Sequence, residues 1–181
     1  MSEKKSVCVF CGASNNVNKK FLDIGEKFGE LLAARDISLV YGGGDCGVMG
    51  AVANSTMKHG GHATGVFPRS LRNIENEHKS LSEITIVDTM HERKQNMFER
   101  SDAFIVFPGG FGTMDEMFEI ITWKQLMIHD KPVVIFNYEG YWTPLIELMK
   151  NIIENGFAKP EVATYYHVVD ELEEIIDVLG Y

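Results

Sequence analysis

The sequence predicts an α/β fold, an open parallel sheet with helices on both of its faces. Short apolar runs rich in β-branched and aromatic residues alternate with longer amphipathic stretches along the whole chain, and this alternation is typical of parallel sheets. One run, Ala103–Phe107, is almost wholly apolar, as strands buried on both faces tend to be. The length of 181 residues fits one domain, so we expect residues 1–181 to fold as a single unit.

Residues 6–67 contain three predicted strands and two predicted helices. Ser6–Cys11 predicts the first strand. Lys19–Arg35 predicts a helix, because its apolar residues recur three and four positions apart. Ile37–Tyr41 and His62–Phe67 predict the second and third strands, and Gly47–His59 predicts a helix of small residues between them.

A long loop follows, and then the alternation resumes. Arg69–Ser82 is polar and irregular, and loops of this length are often functional. Ile84–Asp88 predicts a strand and His91–Ser101 a helix, and Thr113–His129 predicts the helix that follows Ala103–Phe107. The remaining predicted elements, two strands each followed by a helix, are Pro132–Phe136, Trp142–Asn155, Tyr165–Val169 and Asp170–Leu179. This order predicts an open parallel sheet with helices on both of its faces.

The composition argues against several classes of protein. The chain has 17 Lys and Arg against 26 Asp and Glu, a formal net charge of −9, whereas nucleic acids and anionic membranes are bound largely through basic patches. Its 3 cysteines do not fit a disulfide framework and favour a reducing compartment. The N-terminal apolar run is too short for a secretory signal, and no window is long enough for a membrane span. We expect a cytoplasmic protein without nucleic-acid or membrane partners.

The clearest motif is a glycine-rich turn at the end of the apolar strand, in the segment Pro108–Glu116, PGGFGTMDE. Gly109, Gly110 and Gly112 can expose backbone N–H groups to an anion, and Thr113 adds a hydroxyl group or a helix cap. The start of the following helix favours negative charge, so this turn is a candidate phosphate cradle. It lacks the Lys-Ser/Thr pair of a Walker A loop, which argues against nucleoside triphosphate hydrolysis.

Charged residues surround this candidate cradle. Asp115 and Glu116 lie in the first turn of the predicted helix, where a carboxylate can either complement the helix dipole or carry chemistry. For Asp115 both interpretations stay open, and for Glu116 we favour chemistry. Arg93 and Lys94 stand at another predicted helix start, where positive charge is unfavourable. This placement indicates an anionic partner. The partner is either a phosphate or carboxylate of the substrate, or Glu116 itself.

Two further patterns carry less information. The segment Gly42–Gly47 matches G-x-G-x-x-G, but the acidic residue required about 20 positions later for dinucleotide binding is missing, since Phe67 stands there. Cys8 and Cys11 form a C-x-x-C on a predicted strand, where residues three apart face opposite sides. We therefore expect neither a redox pair nor a metal site.

Four motifs occur together in this chain, and they are Cys11–Ser14 (CGAS), Gly42–Gly50 (GGGDCGVMG), Met90–Lys94 (MHERK) and Pro108–Glu116. Together they resemble the "lonely guy" (LOG) family of cytokinin riboside 5′-monophosphate phosphoribohydrolases, long mislabelled as lysine decarboxylases. The resemblance covers most of the chain. It implies a Rossmann-like homodimer that binds a nucleoside monophosphate and needs no cofactor. It also implies hydrolysis of the N-glycosidic bond of an N6-modified AMP, which releases the free base and ribose 5-phosphate.

The resemblance also implies residue roles. Arg93 and Glu116 correspond to the family's catalytic pair. Glu116 would stabilise the ribosyl carbon, orient the ribose hydroxyls or activate water, and Arg93 would anchor phosphate, orient the carboxylate or offset leaving-group charge. The general acid stays open between Asp115 and solvent. The residues that would contact or surround the nucleotide are Ser14, Glu75 (with Glu77 as the competing assignment), Lys94, Gly109, Gly110, Phe111, Gly112, Thr113 and Asp115.

Other functions fit parts of the same pattern. Amino-acid decarboxylation would require pyridoxal phosphate on a Schiff-base lysine and a yellow protein. A molybdenum-cofactor carrier, or another non-catalytic nucleotide-binding protein, would use the cradle without needing the Arg93–Glu116 pair. A single-stranded DNA binder of related fold is disfavoured by the net charge of −9. The sequence does not determine which base is preferred.

Overall fold

A computed structural model describes residues 4–71 and 76–181 of the chain. In this part of the chain the strands are β1 (Ser6–Phe10), β2 (Ser38–Tyr41), β3 (Ala63–Pro68), β4 (Glu83–Val87), β5 (Ala103–Val106), β6 (Val133–Phe136) and β7 (His167–Val169). The α-helices are α1 (Lys19–Ala34), α2 (Gly47–Lys58), α3 (Met90–Glu99), α4 (Phe111–Gln125), α5 (Thr143–Glu154) and α6 (Leu172–Leu179).

The described strands form one parallel sheet in the order β4-β3-β2-β1-β5-β6-β7. Strand β5, next to the central strand β1, is completely buried. Residues from α1, α2 and α6 form the core on one face, and residues from α3, α4 and α5 form the core on the other. The predicted α/β fold with helices on both faces is confirmed.

The order of the strands reverses beside β1, and this reversal positions the site. The chain leaves β1 toward β2 on one side and leaves β5 toward β6 on the other. The loops after β1 and β5 therefore diverge and leave a crevice at the carboxyl edge of the sheet, where parallel α/β proteins bind ligands. The two loops are joined by a hydrogen bond, in which the backbone N–H of Gly12 donates to the carbonyl of Pro108 at 3.1 Å.

The largest difference from the predicted elements concerns α4. This helix begins at Phe111, two residues before the predicted start, because Gly110 adopts the extended backbone of an N-cap. It ends at Gln125 rather than His129, since Met127 has a positive φ of 60° that stops helical continuation. The first helical turn therefore contains part of the glycine-rich segment.

Cys8 and Cys11 belong to the cores on opposite faces of the sheet, as predicted, and both are free thiols. None of the helices in the described ranges is long and apolar enough to cross a membrane.

Candidate active site

A cavity of about 430 Å³ opens at the carboxyl ends of β1 and β5. The loop after β1, the start of α2, the start of α4 and one side chain of α3 form its walls. The described residues that line it are Val9, Cys11, Gly12, Ala13, Ser14, Val17, Phe21, Gly42, Val48, Met49, Arg93, Pro108, Gly109, Gly110, Gly112, Thr113, Glu116 and Tyr141. The crevice predicted by the strand order is thus the place where the predicted motifs meet.

The start of α4 forms one end of this cavity. No side chain caps the helix at Gly110, so the first backbone N–H groups lack the usual capping acceptor. A Cβ atom added to Gly110 or Gly112 would meet nothing within 4 Å, which means that the space beside them is open. Thr113 is buried and also faces the cavity. Free N–H groups and a helix dipole at one wall favour an anion such as a phosphate.

Arg93 and Glu116 lie together in the cavity wall. Arg93 Nη1 is 3.9 Å from Glu116 Oε1, and the two side chains are only 7% and 11% exposed. The guanidinium is fixed by two carbonyl groups, because Nη2 donates to Gly42 at 3.0 Å and Nε donates to Val66 at 3.3 Å. Arg93 is therefore held from the β2–α2 turn and from β3 while it faces the carboxylate of α4.

The environment of Glu116 changes its protonation. Burial raises the pKa of Glu116 from 4.5 to about 7, and the positive charge of Arg93 opposes this rise. A carboxyl group with a pKa near neutrality can exchange protons efficiently at physiological pH. Burial together with a specific charged partner in a cleft is also characteristic of functional carboxylates.

Lys94 and Asp115 lie outside the residues that line the cavity. Lys94 Nζ contacts Asp115 Oδ2 at 3.2 Å and Glu119 Oε1 at 3.1 Å, so it joins α3 to α4. Burial alone would lower the pKa of Lys94, but its hydrogen bonds to Glu119 and Asp115 outweigh that effect and raise the pKa. The anionic partners of Lys94 in this structure are therefore the carboxylates of Asp115 and Glu119.

The other predicted substrate residues fall into two groups. Ser14, Gly109, Gly110, Gly112 and Thr113 line the cavity, whereas the side chain of Phe111 is 88% exposed and does not. Glu75 lies outside the described residues.

The segment that follows Glu75 is fastened beside the site. The backbone N–H of His78 donates to the carbonyl of Gly43 at 2.9 Å, and Asp45 donates likewise to Asn76 at 3.0 Å. The buried ring of His78 also contacts Asn54 Oδ1 through Nε2 at 3.1 Å. This loop is therefore anchored on the same β2–α2 turn whose Gly42 carbonyl holds Arg93.

The G-x-G-x-x-G segment has a packing role. Gly47 has a φ of +60°, and a Cβ atom there would lie 2.7 Å from backbone atoms of Gly12, Ala13 and Ser14. The N–H of Val48 donates to the carbonyl of Gly12 at 2.9 Å. This glycine brings α2 close to the loop after β1 and shapes the cavity wall.

Sequence reasoning missed the residues that form the opposite wall. Val17, Phe21 and Tyr141 line the cavity, yet none of them belongs to a charged or glycine-rich pattern. Phe21 is part of the periodic apolar face of α1, which indicated core packing. Tyr141 follows two residues with positive φ, Glu139 and Gly140, so a turn signal marks its position without indicating its role.

The described residues do not provide for a metal ion or for pyridoxal phosphate. No group of three or more His, Cys, Asp and Glu in the described part of the chain could hold a metal ion. A Schiff-base lysine must lose its charge, usually through a lowered pKa. No lysine is among the described cavity-lining residues, and the nearby Lys94 is held by two carboxylates with its pKa raised.

Comparison with known structures gives the same fold at low sequence identity. The molybdenum cofactor binding protein from Rippkaea orientalis aligns over 99% of this chain and 98% of its own, with a TM-score of 0.77 and 20% identity. The DNA processing protein A of Helicobacter pylori aligns over 98% of this chain and 80% of its own, with a TM-score of 0.58 and 12% identity. At these identities the likeness concerns the fold alone.

Sequence comparison identifies closer relatives. The family model described as "Possible lysine decarboxylase" matches residues 49–179. Cytokinin riboside 5′-monophosphate phosphoribohydrolase LOG1 of Arabidopsis thaliana is 42% identical over 168 residues, covering 93% of this chain and 78% of that protein. The Oryza sativa subsp. japonica protein named probable cytokinin riboside 5′-monophosphate phosphoribohydrolase LOGL2 is 41% identical over 178 residues, covering 98% of this chain and 73% of that protein. The chain therefore belongs to the LOG family, within the group whose model carries the lysine decarboxylase description.

Proposed function

We propose that the protein hydrolyses the N-glycosidic bond of adenosine 5′-monophosphate or an N6-substituted derivative. The observation that carries this proposal is the buried Glu116 carboxyl group, which shares one cavity with the uncapped start of α4. The helix start suits the 5′-phosphate, and the carboxyl group suits the ribosyl carbon. The relatives LOG1 and LOGL2 are named for this reaction.

The reaction requires a group that responds to charge developing on the sugar. The bond between C1′ and the purine nitrogen breaks, and its electron pair leaves with the base. Water adds its oxygen to C1′, and its protons supply the C1′ hydroxyl and the base. The transition state is cationic at C1′, so an ionised Glu116 stabilises it and can accept a proton from the attacking water. The buried setting strengthens this electrostatic effect.

Arg93 orients the carboxylate of Glu116 and favours its ionised form. Two edges of its guanidinium are engaged by the carbonyls of Gly42 and Val66, and Nη1 faces Glu116. Of the roles left open by the sequence, this geometry favours orienting and ionising Glu116. The general acid that delivers a proton to the base is then solvent, because Asp115 is engaged by Lys94 and does not line the cavity.

The decarboxylase and carrier alternatives predict different behaviour. A decarboxylase needs a lysine suited to a Schiff base, and the described cavity wall offers none. A molybdenum-cofactor carrier could use the cradle, but it would have no need for a buried carboxyl group whose pKa is about 7. A bound pterin in the purified protein, together with no turnover of nucleotide, would favour the carrier.

We also propose a homodimer in a reducing compartment such as the cytoplasm. Large apolar side chains are exposed near the start of α3 and around both ends of α4, and they are Met90, Phe111, Leu126, Met127 and Ile128. Three of these residues, Leu126–Ile128, are consecutive, and exposed apolar side chains grouped in this way support association between copies. The described free thiols support the compartment. A mass measurement in solution tests the dimer, and a monomer at micromolar concentration would contradict it.

The decisive experiment compares Glu116→Gln with Glu119→Gln. We expect Glu116→Gln to lower kcat for AMP by about 10²–10⁴-fold while it keeps the dissociation constant for AMP within about threefold. Glu119 lies one turn further along α4 and pairs with Lys94, so its amide variant controls for the loss of a carboxylate from this helix. Wild-type turnover by Glu116→Gln would remove Glu116 from the chemistry.

A further inference from the structure

The peptide that joins Gly109 to Gly110 is held by a tyrosine from another part of the chain. The hydroxyl group of Tyr141 donates to the carbonyl of Gly109 at 2.6 Å. On its other side, Gly109 packs so closely that a Cβ atom would lie 2.1 Å from Thr113 Oγ1 and 2.9 Å from the Gly12 nitrogen. Its backbone is therefore constrained from two directions.

This contact determines more than the position of one carbonyl group. A peptide unit is planar, so the direction of the Gly109 carbonyl fixes the opposite direction of the Gly110 N–H. A peptide between two glycines has few steric barriers to rotation. Without the hydroxyl group the carbonyl could turn toward the anion site, where its partial negative charge would oppose a phosphate.

Tyr141 is itself braced for this role. Its ring meets Phe21 of α1 edge-on at 5.4 Å and Trp142 at 4.8 Å. It follows Glu139, which forms an ion pair with Lys20 of α1. The tyrosine therefore couples α1 and the turn after β6 to the glycine-rich turn after β5.

We propose that Tyr141 is a positioning residue for the phosphate subsite, and that its hydroxyl group keeps the Gly109–Gly110 peptide in the orientation that accepts an anion. The inference rests on the proposed function, because it concerns the 5′-phosphate end of the same cavity. It assigns Tyr141 to phosphate affinity and leaves the bond-breaking step to Glu116.

The test uses Tyr141→Phe, which removes the hydroxyl group and keeps the ring. Calorimetry would measure the binding of ribose 5-phosphate and of adenine separately, and steady-state kinetics would follow AMP. We expect ribose 5-phosphate to bind about tenfold more weakly, as the loss of one hydrogen bond implies. Adenine binding should be unchanged. The KM for AMP should rise by a similar factor while kcat stays within about twofold.

Tyr138→Phe is the matched control. Tyr138 also packs edge-on against Phe21, at 6.1 Å, but its hydroxyl group interacts with Glu139 instead of the glycine-rich turn. This variant should bind ribose 5-phosphate like the wild type. A thermal melt of each variant would show that the fold is retained.

Two results would overturn the inference. One is unchanged ribose 5-phosphate binding by Tyr141→Phe, and the other is an equal loss for adenine, which would place the hydroxyl group at the base. The proposed hydrolysis is judged separately by the wild type. If the wild type binds ribose 5-phosphate but releases no base from AMP, the hydrolysis fails while the binding data still decide the role of Tyr141.

Discussion

Replacing Glu116 by glutamine should change how the stability of the protein depends on pH. The side chain is 11% exposed, and burial raises its pKa from 4.5 to about 7. Between these two values the folded protein holds a proton that the unfolded chain has released. The free energy of unfolding of the wild type therefore falls as pH rises through this window, and it stays reduced above pH 7.

The size of the effect follows from the shift. At about 1.4 kcal/mol per pKa unit, the rise to about 7 corresponds to about 3 kcal/mol lost on going from acid to pH 8. About 2 kcal/mol of this loss falls between about pH 5.5 and pH 8. Glutamine resembles the protonated acid in shape and has no charge to bury, so Glu116→Gln should escape the loss.

Denaturant unfolding of both proteins at a series of pH values measures this difference. The variant should be more stable than the wild type at pH 8. The difference in free energy of unfolding between the two proteins should be about 2 kcal/mol larger at pH 8 than at pH 5.5. Glu119→Gln should behave oppositely, because it loses an ion pair with Lys94 and should weaken the fold at pH 8. A stability difference between Glu116→Gln and wild type that is constant across this range would refute the reasoning.

Three further predictions follow from the same site and its surroundings. Gly109→Ala should destabilise the fold by about 1–3 kcal/mol, because the added Cβ atom would lie 2.1 Å from Thr113 Oγ1. Gly112→Ala is the control and should leave stability unchanged, because the space beside Gly112 is open. Chemical denaturation of the two variants measures the difference. Met127→Gly should stabilise the folded monomer by about 0.5–1 kcal/mol, because Met127 has a φ of 60° and its side chain is 90% exposed in the single chain. Met127 also belongs to the apolar residues proposed for the dimer, so the thermal melt is run at a dilution where the protein is monomeric, and an unchanged or lower midpoint there would contradict this. The kcat/KM for AMP should rise with pH and level off above about 7, since the ionised form of Glu116 is the active one; a profile that is flat from about pH 5.5 to 8 would contradict that role.

Local patterns were sufficient to predict the fold. The apolar run of β5 and the periodic apolar face of α1 are properties of neighbouring residues, so they can be recognised in a single sequence. The glycine-rich turn before α4 could be predicted for the same reason, because a strand, its turn and the next helix are consecutive, and its role as an anion site stays a prediction. The exact start of α4 could not be predicted from the sequence, because it depends on the extended backbone adopted by Gly110.

The contacts that complete the site are distant in sequence. Arg93 is held by Gly42, 51 residues earlier, and Tyr141 reaches Gly109 across 32 residues. Neither contact leaves a local pattern, because each depends on which strands become neighbours. The sequence did indicate an anionic partner for Arg93 and Lys94. The structure brings Arg93 to Glu116 but engages Lys94 with Asp115 and Glu119, and only the packing of α3 against α4 distinguishes these outcomes.

The most direct test of the central claim is to identify the products that the wild-type protein forms from AMP and from isopentenyl-AMP. Chromatography would measure the free base, ribose 5-phosphate, the nucleoside and inorganic phosphate in each reaction. We expect equal amounts of base and ribose 5-phosphate, with neither nucleoside nor inorganic phosphate, and the ratio of the two rates would show which base is preferred. Intact nucleotide in both reactions, or nucleoside with inorganic phosphate as the products, would contradict it.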